Sequence, residues 1–211
     1  KSFGTGENMQ IVLDGLDFEL FRGDMAAVRG QSGSGKSTLL NIIGTLDRAD
    51  SGSINAAGCD LMNMNESEQA HFRRKKAGFV FQNHCLLPQL TAIENVLLPT
   101  LAEGENTKES IVRAEELLRK VGLEKCMHSF PAQMSGGERQ RAAVARALMN
   151  NPEILFADEP TGALDSKNTA SLLDLLCGLN SEGMTILMVT HSDLAASRTK
   201  RVFTLENGRI T

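Results

Sequence analysis

The stretch that most constrains this chain is Gly30-Gln31-Ser32-Gly33-Ser34-Gly35-Lys36-Ser37, which matches G-x-x-x-x-G-K-[ST]. Its context matters as much as its residues. An apolar run ending at Val28 precedes it and a helical run from Thr38 to Leu46 follows, so the loop joins a strand to a helix N-terminus. Glycines let successive N–H groups turn inward around phosphate oxygens, and the helix dipole adds positive potential at the same point. The amides from Gly30 through Ser32, Gly33, Ser34, Gly35 and on to Thr38 are the expected cradle. The Lys36 ammonium would neutralise the β and γ phosphates of a nucleoside triphosphate, and the Ser37 hydroxyl would face Mg²⁺, a hard cation that takes oxygen ligands. A Gly-rich surface turn is the alternative, and it leaves the Lys-Ser pair without a purpose.

Further short apolar runs, Met25 to Val28, Phe79 to Phe81, Ile154 to Ala157, Ile186 to Val189 and Val202 to Leu205, alternate with helical patterns. That order predicts an α/β domain with a largely parallel sheet. Asn207-Gly208 before Arg209-Ile210 predicts a tight closing hairpin. Between Asn83 and Asn151 the signals are helical. Thr91 with Glu94, and Asn106 with Glu109, look like capping boxes, and Gly122 stops the second helix. A hydrophobic content of 41% over 211 residues suits one globular domain with a sizeable core.

A net charge of −4 argues against nucleic acid as the partner, and the basic run Arg73-Arg74-Lys75-Lys76 reads as a solvated helix end. No run approaches the roughly eighteen apolar residues of a membrane span, and the first residues lack a secretory signal, so a cytosolic location is expected. Cys59, Cys85, Cys126 and Cys177 form no C-x-x-C pair and read as free thiols.

Ile154-Leu155-Phe156-Ala157-Asp158-Glu159 ends a buried-type strand in two adjacent carboxylates, where open α/β sheets place ligands. Asp158 suits the Mg²⁺ side, and Glu159, pointing elsewhere, suits a general base for the attacking water. A helix-capping cluster before Pro160 is the plainer alternative. The run Thr185 to Thr190 delivers His191 to the same sheet edge, in reach of a γ-phosphate, whereas His71, His84 and His128 lack such placement and read as structural.

Met134-Ser135-Gly136-Gly137-Glu138-Arg139-Gln140-Arg141 resembles the L-S-G-G-Q signature of ABC ATPases. Ser135 and Glu138 form an S-x-x-E capping box that leaves the Gly136 and Gly137 amides at an anion-binding helix start. The resemblance covers essentially the whole chain. It implies a RecA-like P-loop core from 1–82 and 152–211 with an antiparallel β subdomain, and a helical subdomain at 83–151. It also implies two copies sandwiching two ATP–Mg²⁺ head to tail, each ATP held by Lys36 of one chain and by Ser135 and Gly137 of the other. Phe3 stands where the adenine-stacking aromatic belongs. Gln82 resembles the Q-loop glutamine that touches Mg²⁺ and water, and Gly162-Ala163-Leu164-Asp165 resembles the D-loop.

Departures from the family pattern are Phe3 for Tyr, Met134 for Leu, Glu138 for Gln and Gly162 for Ser. Arg73 to Gln82, Leu86-Leu87-Pro88, Glu94-Asn95-Val96 and Asp158 to Gly162 resemble the MacB, LolD and FtsE-type branch. That branch implies an integral membrane partner like MacB, LolC or FtsX, and a place on the cytoplasmic face of the inner membrane. The competing class, a soluble ABC ATPase acting on ribosomes or DNA, usually carries two ATPase units or a long coiled coil.

Overall fold

The computed structural model describes residues 1–101 and 107–210. Its strands are β1 (Ser2–Phe3), β2 (Gln10–Ile11), β3 (Met25–Arg29), β4 (Asn55–Ala56), β5 (Cys59–Asp60), β6 (Ala77–Phe81), β7 (Ile154–Asp158), β8 (Thr185–Thr190), β9 (Arg201–Glu206) and β10 (Arg209–Ile210). Its α-helices are α1 (Lys36–Ile43), α2 (Glu66–Lys75), α3 (Ala92–Leu101), α4 (Lys108–Lys120), α5 (Gly136–Ala147), α6 (Ser166–Ser181) and α7 (Asp193–Ser197).

Six strands form one sheet in the order β10-β9-β3-β8-β7-β6, parallel except for the β9–β10 hairpin. Asn207 and Gly208 both hold positive φ, 49° and 77°, which is the two-residue turn that Asn-Gly favours. The antiparallel β content is otherwise two short ribbons, β1–β2 and β4–β5. The alternating Leu16-Asp17-Phe18-Glu19-Leu20 segment joins no strand ladder, although Phe18 packs its ring 5.2 Å from that of Phe203.

Successive residues of the central strands feed two separate cores, as a period of two requires. Leu155, Ala157, Ile186 and Met188 face one side with Val96, Leu118, Val144 and Leu172, which belong to α3, α4, α5 and α6. Phe156, Leu187 and Val189 face the other with Leu39, Leu40 and Phe72 of α1 and α2. The helix after the phosphate loop and the helix after Ser135 therefore lie on opposite faces of the sheet.

Between β6 and β7 the described residues hold helices and turns and no strand. Thr91 and Glu94 close the expected box, with Glu94 Oε2 accepting from the Thr91 N–H at 2.7 Å. Asn106 lies outside the described residues. Thr107 caps α4, its hydroxyl accepting from the Ser110 N–H at 3.2 Å. Gly122, at φ 73°, follows that helix as expected. The Arg73–Lys75 run forms the last turn of α2, where basic groups complement the helix dipole.

Candidate active site

The carboxyl ends of β3, β7 and β8 meet at one edge because Arg29 pairs with Thr190 and Asp158 with Val189 in register. The loop after β3 wraps around the Lys36 side chain, which is buried and donates from Nζ to the carbonyls of Gly30 at 2.9 Å and Gln31 at 2.8 Å. Gly33 and Gly35 hold positive φ, 79° and 98°, so successive peptides can turn as the cradle requires. At Gly35 a Cβ would also meet Leu13 Cδ2 and Val12 Cγ1 at 2.9 Å, so the loop packs directly on the segment after β2. Within the loop the Ser34 Oγ is buried, has no hydrogen-bond partner, and lies 2.5 Å from where a Cβ on Gly30 would sit.

Ser37 donates its hydroxyl to Asp158 Oδ1 at 3.0 Å. Burial pushes the Asp158 carboxyl above its ordinary range, the neighbouring Glu159 charge pushes the same way, and the Ser37 hydrogen bond and Lys36 charge pull against them. A carboxylate held in a setting that disfavours its charge, beside a hydroxyl oxygen, is suited to a hard cation. These two donors fit Mg²⁺ shared with phosphate oxygens.

Glu159 takes a left-handed backbone, φ 44°, with its N–H donating to Val189 O at 2.9 Å. This turns its side chain away from Asp158 and toward the end of β8. Its Oε1 lies 2.8 Å from His191 Nδ1, while Oε2 accepts from the Thr190 hydroxyl at 3.2 Å and the His191 N–H at 3.3 Å. The Glu159 side chain is only 13% exposed against 67% for His191, so the carboxylate is sheltered and the imidazole reaches outward.

Gln82 directly follows β6, whose Phe81 pairs with Asp158. Its Nε2 would lie 2.8 Å from a Cβ on Gly162, so the amide packs against the turn that carries Glu159. Phe3 is exposed in the β1–β2 ribbon, with Lys1 Nζ 4.9 Å from its ring centroid. The segment that follows this ribbon reaches the phosphate loop at Val12 and Leu13.

The signature-like segment forms a complete capping box. Glu138 Oε2 accepts from the Ser135 N–H at 2.7 Å and from its hydroxyl at 2.8 Å, and the Glu138 N–H donates to Ser135 Oγ at 3.3 Å. Hydrogen bonds from the Ser135 amide and then its hydroxyl hold the Glu138 carboxyl below its usual range. The Glu138 carboxylate is thus engaged by the cap and held in its ionised form. Gly137 packs against Asn168, which bonds Asp165, the cap of α6, through Nδ2 to Oδ2 at 2.8 Å.

The structure therefore brings Lys36, Ser37, Gln82, Asp158, Glu159 and His191 to one edge and places Ser135, Gly136, Gly137, Glu138 and Asp165 together elsewhere. Sequence reasoning missed Thr190, whose hydroxyl is fully buried and also accepts from the Ser192 N–H at 3.0 Å. Its only signal was adjacency to His191 at a strand end.

A family model described as ABC transporter matches residues 13–162. The chain is 47% identical over 209 residues to the lipoprotein-releasing system ATP-binding protein LolD of Porphyromonas gingivalis, covering 99% of this chain and 94% of LolD. It is 47% identical over 210 residues to the macrolide export ATP-binding/permease protein MacB of Mannheimia succiniciproducens, covering all of this chain but 33% of MacB. The chain thus spans about a third of the MacB relatives it matches. Among solved structures, a dimeric post-hydrolysis state of the ATP-binding cassette MJ0796 bound to ADP and Pi matches with TM-score 0.91 and 40% identity, covering 100% of this chain and 93% of that one.

Proposed function

The chain belongs to the ABC transporter family as an ATP-binding, ATP-hydrolysing unit, and from that premise we propose that it closes head to tail with a second copy around two ATP–Mg²⁺ to drive an integral membrane permease. One observation carries the dimer: α1 and α5 lie on opposite faces of the sheet, so a phosphate loop and a signature-like helix start of the same chain face different nucleotides. Two copies related by a twofold axis bring Lys36 of each to Ser135 and Gly137 of the other. The dimeric form of the related cassette supports this reading.

In the proposed site the loop amides and Lys36 bind the β and γ phosphates, which replace the Gly30 and Gln31 carbonyls as partners of the ammonium. Ser37 and Asp158 would hold Mg²⁺, with Gln82 nearby on the Glu159 turn, and a cation there would supply positive charge against the phosphate oxygens. Glu159 accepts the proton of the attacking water, so ATP and water leave as ADP and phosphate. His191 orients the carboxylate through Nδ1 and presents its other ring nitrogen outward to the γ-phosphate. Phe3 stacks on adenine, and Asp165, at the start of α6, reports across the interface.

Among the described residues no helix is long and apolar enough to cross a membrane. The similarity to MacB and LolD supports a partner of the MacB, LolC or FtsX kind, placing the chain at the cytoplasmic membrane face through that contact, with residues 83–151 as the inserted helical subdomain.

The test is Glu159→Gln, purified from detergent-solubilised membranes with ATP and Mg²⁺. Without the base it should accumulate an ATP-bound dimer and bring down one polytopic membrane protein. Hydrolysis at the wild-type rate would remove Glu159 as the base, and recovery of ribosomes or DNA would replace the membrane partner with the soluble alternative.

A further inference from the structure

The segment after Gln82 is held to α5 by the side chains of Arg139, Gln140 and Arg146. His84 and Cys85 both keep left-handed backbones, φ 51° and 50°, which residues other than glycine hold only where their surroundings over-determine them. Arg146 of α5 donates to both of their carbonyls, reaching His84 O at 2.7 Å. Gln140, fully buried, donates Nε2 to Phe81 O at 3.0 Å, which turns its Oε1 to within 3.0 Å of His84 Nδ1. Arg139 donates Nε to His84 Nε2 at 3.1 Å.

These partners select one state of the ring. Guanidinium only donates, so Nε2 must accept, and the hydrogen sits on Nδ1 where Gln140 Oε1 receives it. The same Arg139 extends Nη1 to the carbonyls of Met134 at 2.5 Å and Pro131 at 3.3 Å, in the lead-in to Ser135. One guanidinium therefore ties His84 to the backbone immediately before the signature-like helix start.

We propose that His84 is a positioning residue for hydrolysis, locking the Gln82 segment to the start of α5 so that the two move as one body. Resting on the head-to-tail reading above, this links the two nucleotides. Gln82 lies on its own chain's site and Ser135 on the partner's, so closure at one sets the geometry of the other.

The test compares His84→Ala, which removes both ring hydrogen bonds, with His84→Asn. Asparagine tolerates a left-handed backbone and keeps an amide donor near Gln140 but has no acceptor placed for Arg139. ATP affinity of the monomer, read by titration with a fluorescent ATP analogue, should be unchanged in both variants. kcat should fall about tenfold in the alanine variant, a loss of about 1.4 kcal/mol in transition-state stabilisation. The ATP-driven dimer in a Glu159→Gln background should weaken by a similar factor, and Asn should recover part of both losses. Wild-type kcat and dimerisation in His84→Ala, or an Asn variant no better than Ala, would overturn the proposal. If Glu159→Gln alone forms no ATP dimer, the head-to-tail reading fails first and the coupling with it. Should the alanine variant not fold, wild-type behaviour of the asparagine variant still refutes the role.

Discussion

Gly136 and Gly137 occupy successive positions in the first turn of α5, yet a methyl group added at each meets opposite surroundings. At Gly136 the nearest atoms to a new Cβ are Leu164 Cδ2 at 3.8 Å and Arg139 Nη2 at 4.0 Å, ordinary contacts. Alanine there should gain about 0.5–1 kcal/mol from reduced chain entropy in a helix. At Gly137 the Cβ would lie 2.5 Å from Asn168 Cγ and 3.1 Å from Asn168 Cβ, so the whole side chain must swing away. Overpacking of this kind costs about 1–3 kcal/mol, and the lost Asn168–Asp165 hydrogen bond adds about 0.5–1.5 kcal/mol. The clash outweighs the helix gain, which is common to both positions and cancels in the comparison. Gly137→Ala should therefore be less stable than Gly136→Ala by roughly 1.5–4.5 kcal/mol, or about 3–18 °C in Tm for a chain of this size. Thermal unfolding followed by circular dichroism on the two variants checks it. A Gly137→Ala protein melting at or above Gly136→Ala would refute the close packing of the α5 start on α6.

Asp158 supplies a pH-dependent prediction. Its folded carboxyl sits above the ordinary value through burial and the Glu159 charge, so the native state binds more protons than the unfolded chain across that window. Stability then falls as pH rises through it. Asp158→Asn should melt above wild type at neutral pH without nucleotide, with the gap closing as pH drops below the usual aspartate range, while hydrolysis is lost; a variant melting below wild type at neutral pH would contradict this. Thr190→Val removes the buried hydroxyl that donates to Glu159 while keeping its shape. It should lower kcat about tenfold with ATP affinity unchanged, and Thr190→Ser should retain most activity; equal rates for Val and Ser would show that the hydroxyl does not position the base.

The parallel strands were legible because each central strand is a short apolar run bounded by turn residues, as at Ile186 to Val189. The two-residue strands β1, β2, β4 and β5 were not, because so few residues carry no period and their pairing is set by tertiary contact. An example is the Lys1 carbonyl, which accepts from both Val12 and Leu13. The cap of α4 was read one residue early, at Asn106, since Asn and Thr are near-equal capping residues and adjacent. Asp158, Glu159 and His191 could be placed from sequence because strand ends fix where they emerge, and Lys36 because the loop motif sets it at the start of α1. Thr190 and His84 could not. A threonine in a strand and a histidine in a turn acquire meaning only from partners far along the chain, Glu159 for one and Arg139 and Gln140 for the other.

The most direct test of the shared site mixes two variants, Lys36→Ala and Ser135→Arg. In a head-to-tail pair each nucleotide needs Lys36 from one chain and the Ser135 helix start from the other, so each variant alone has two broken sites. A heterodimer of the two has one site with both elements intact. ATP hydrolysis that appears on mixing, and is absent from either protein alone, is the result predicted; a mixture as inactive as its components, with both variants folded, would contradict the sandwich.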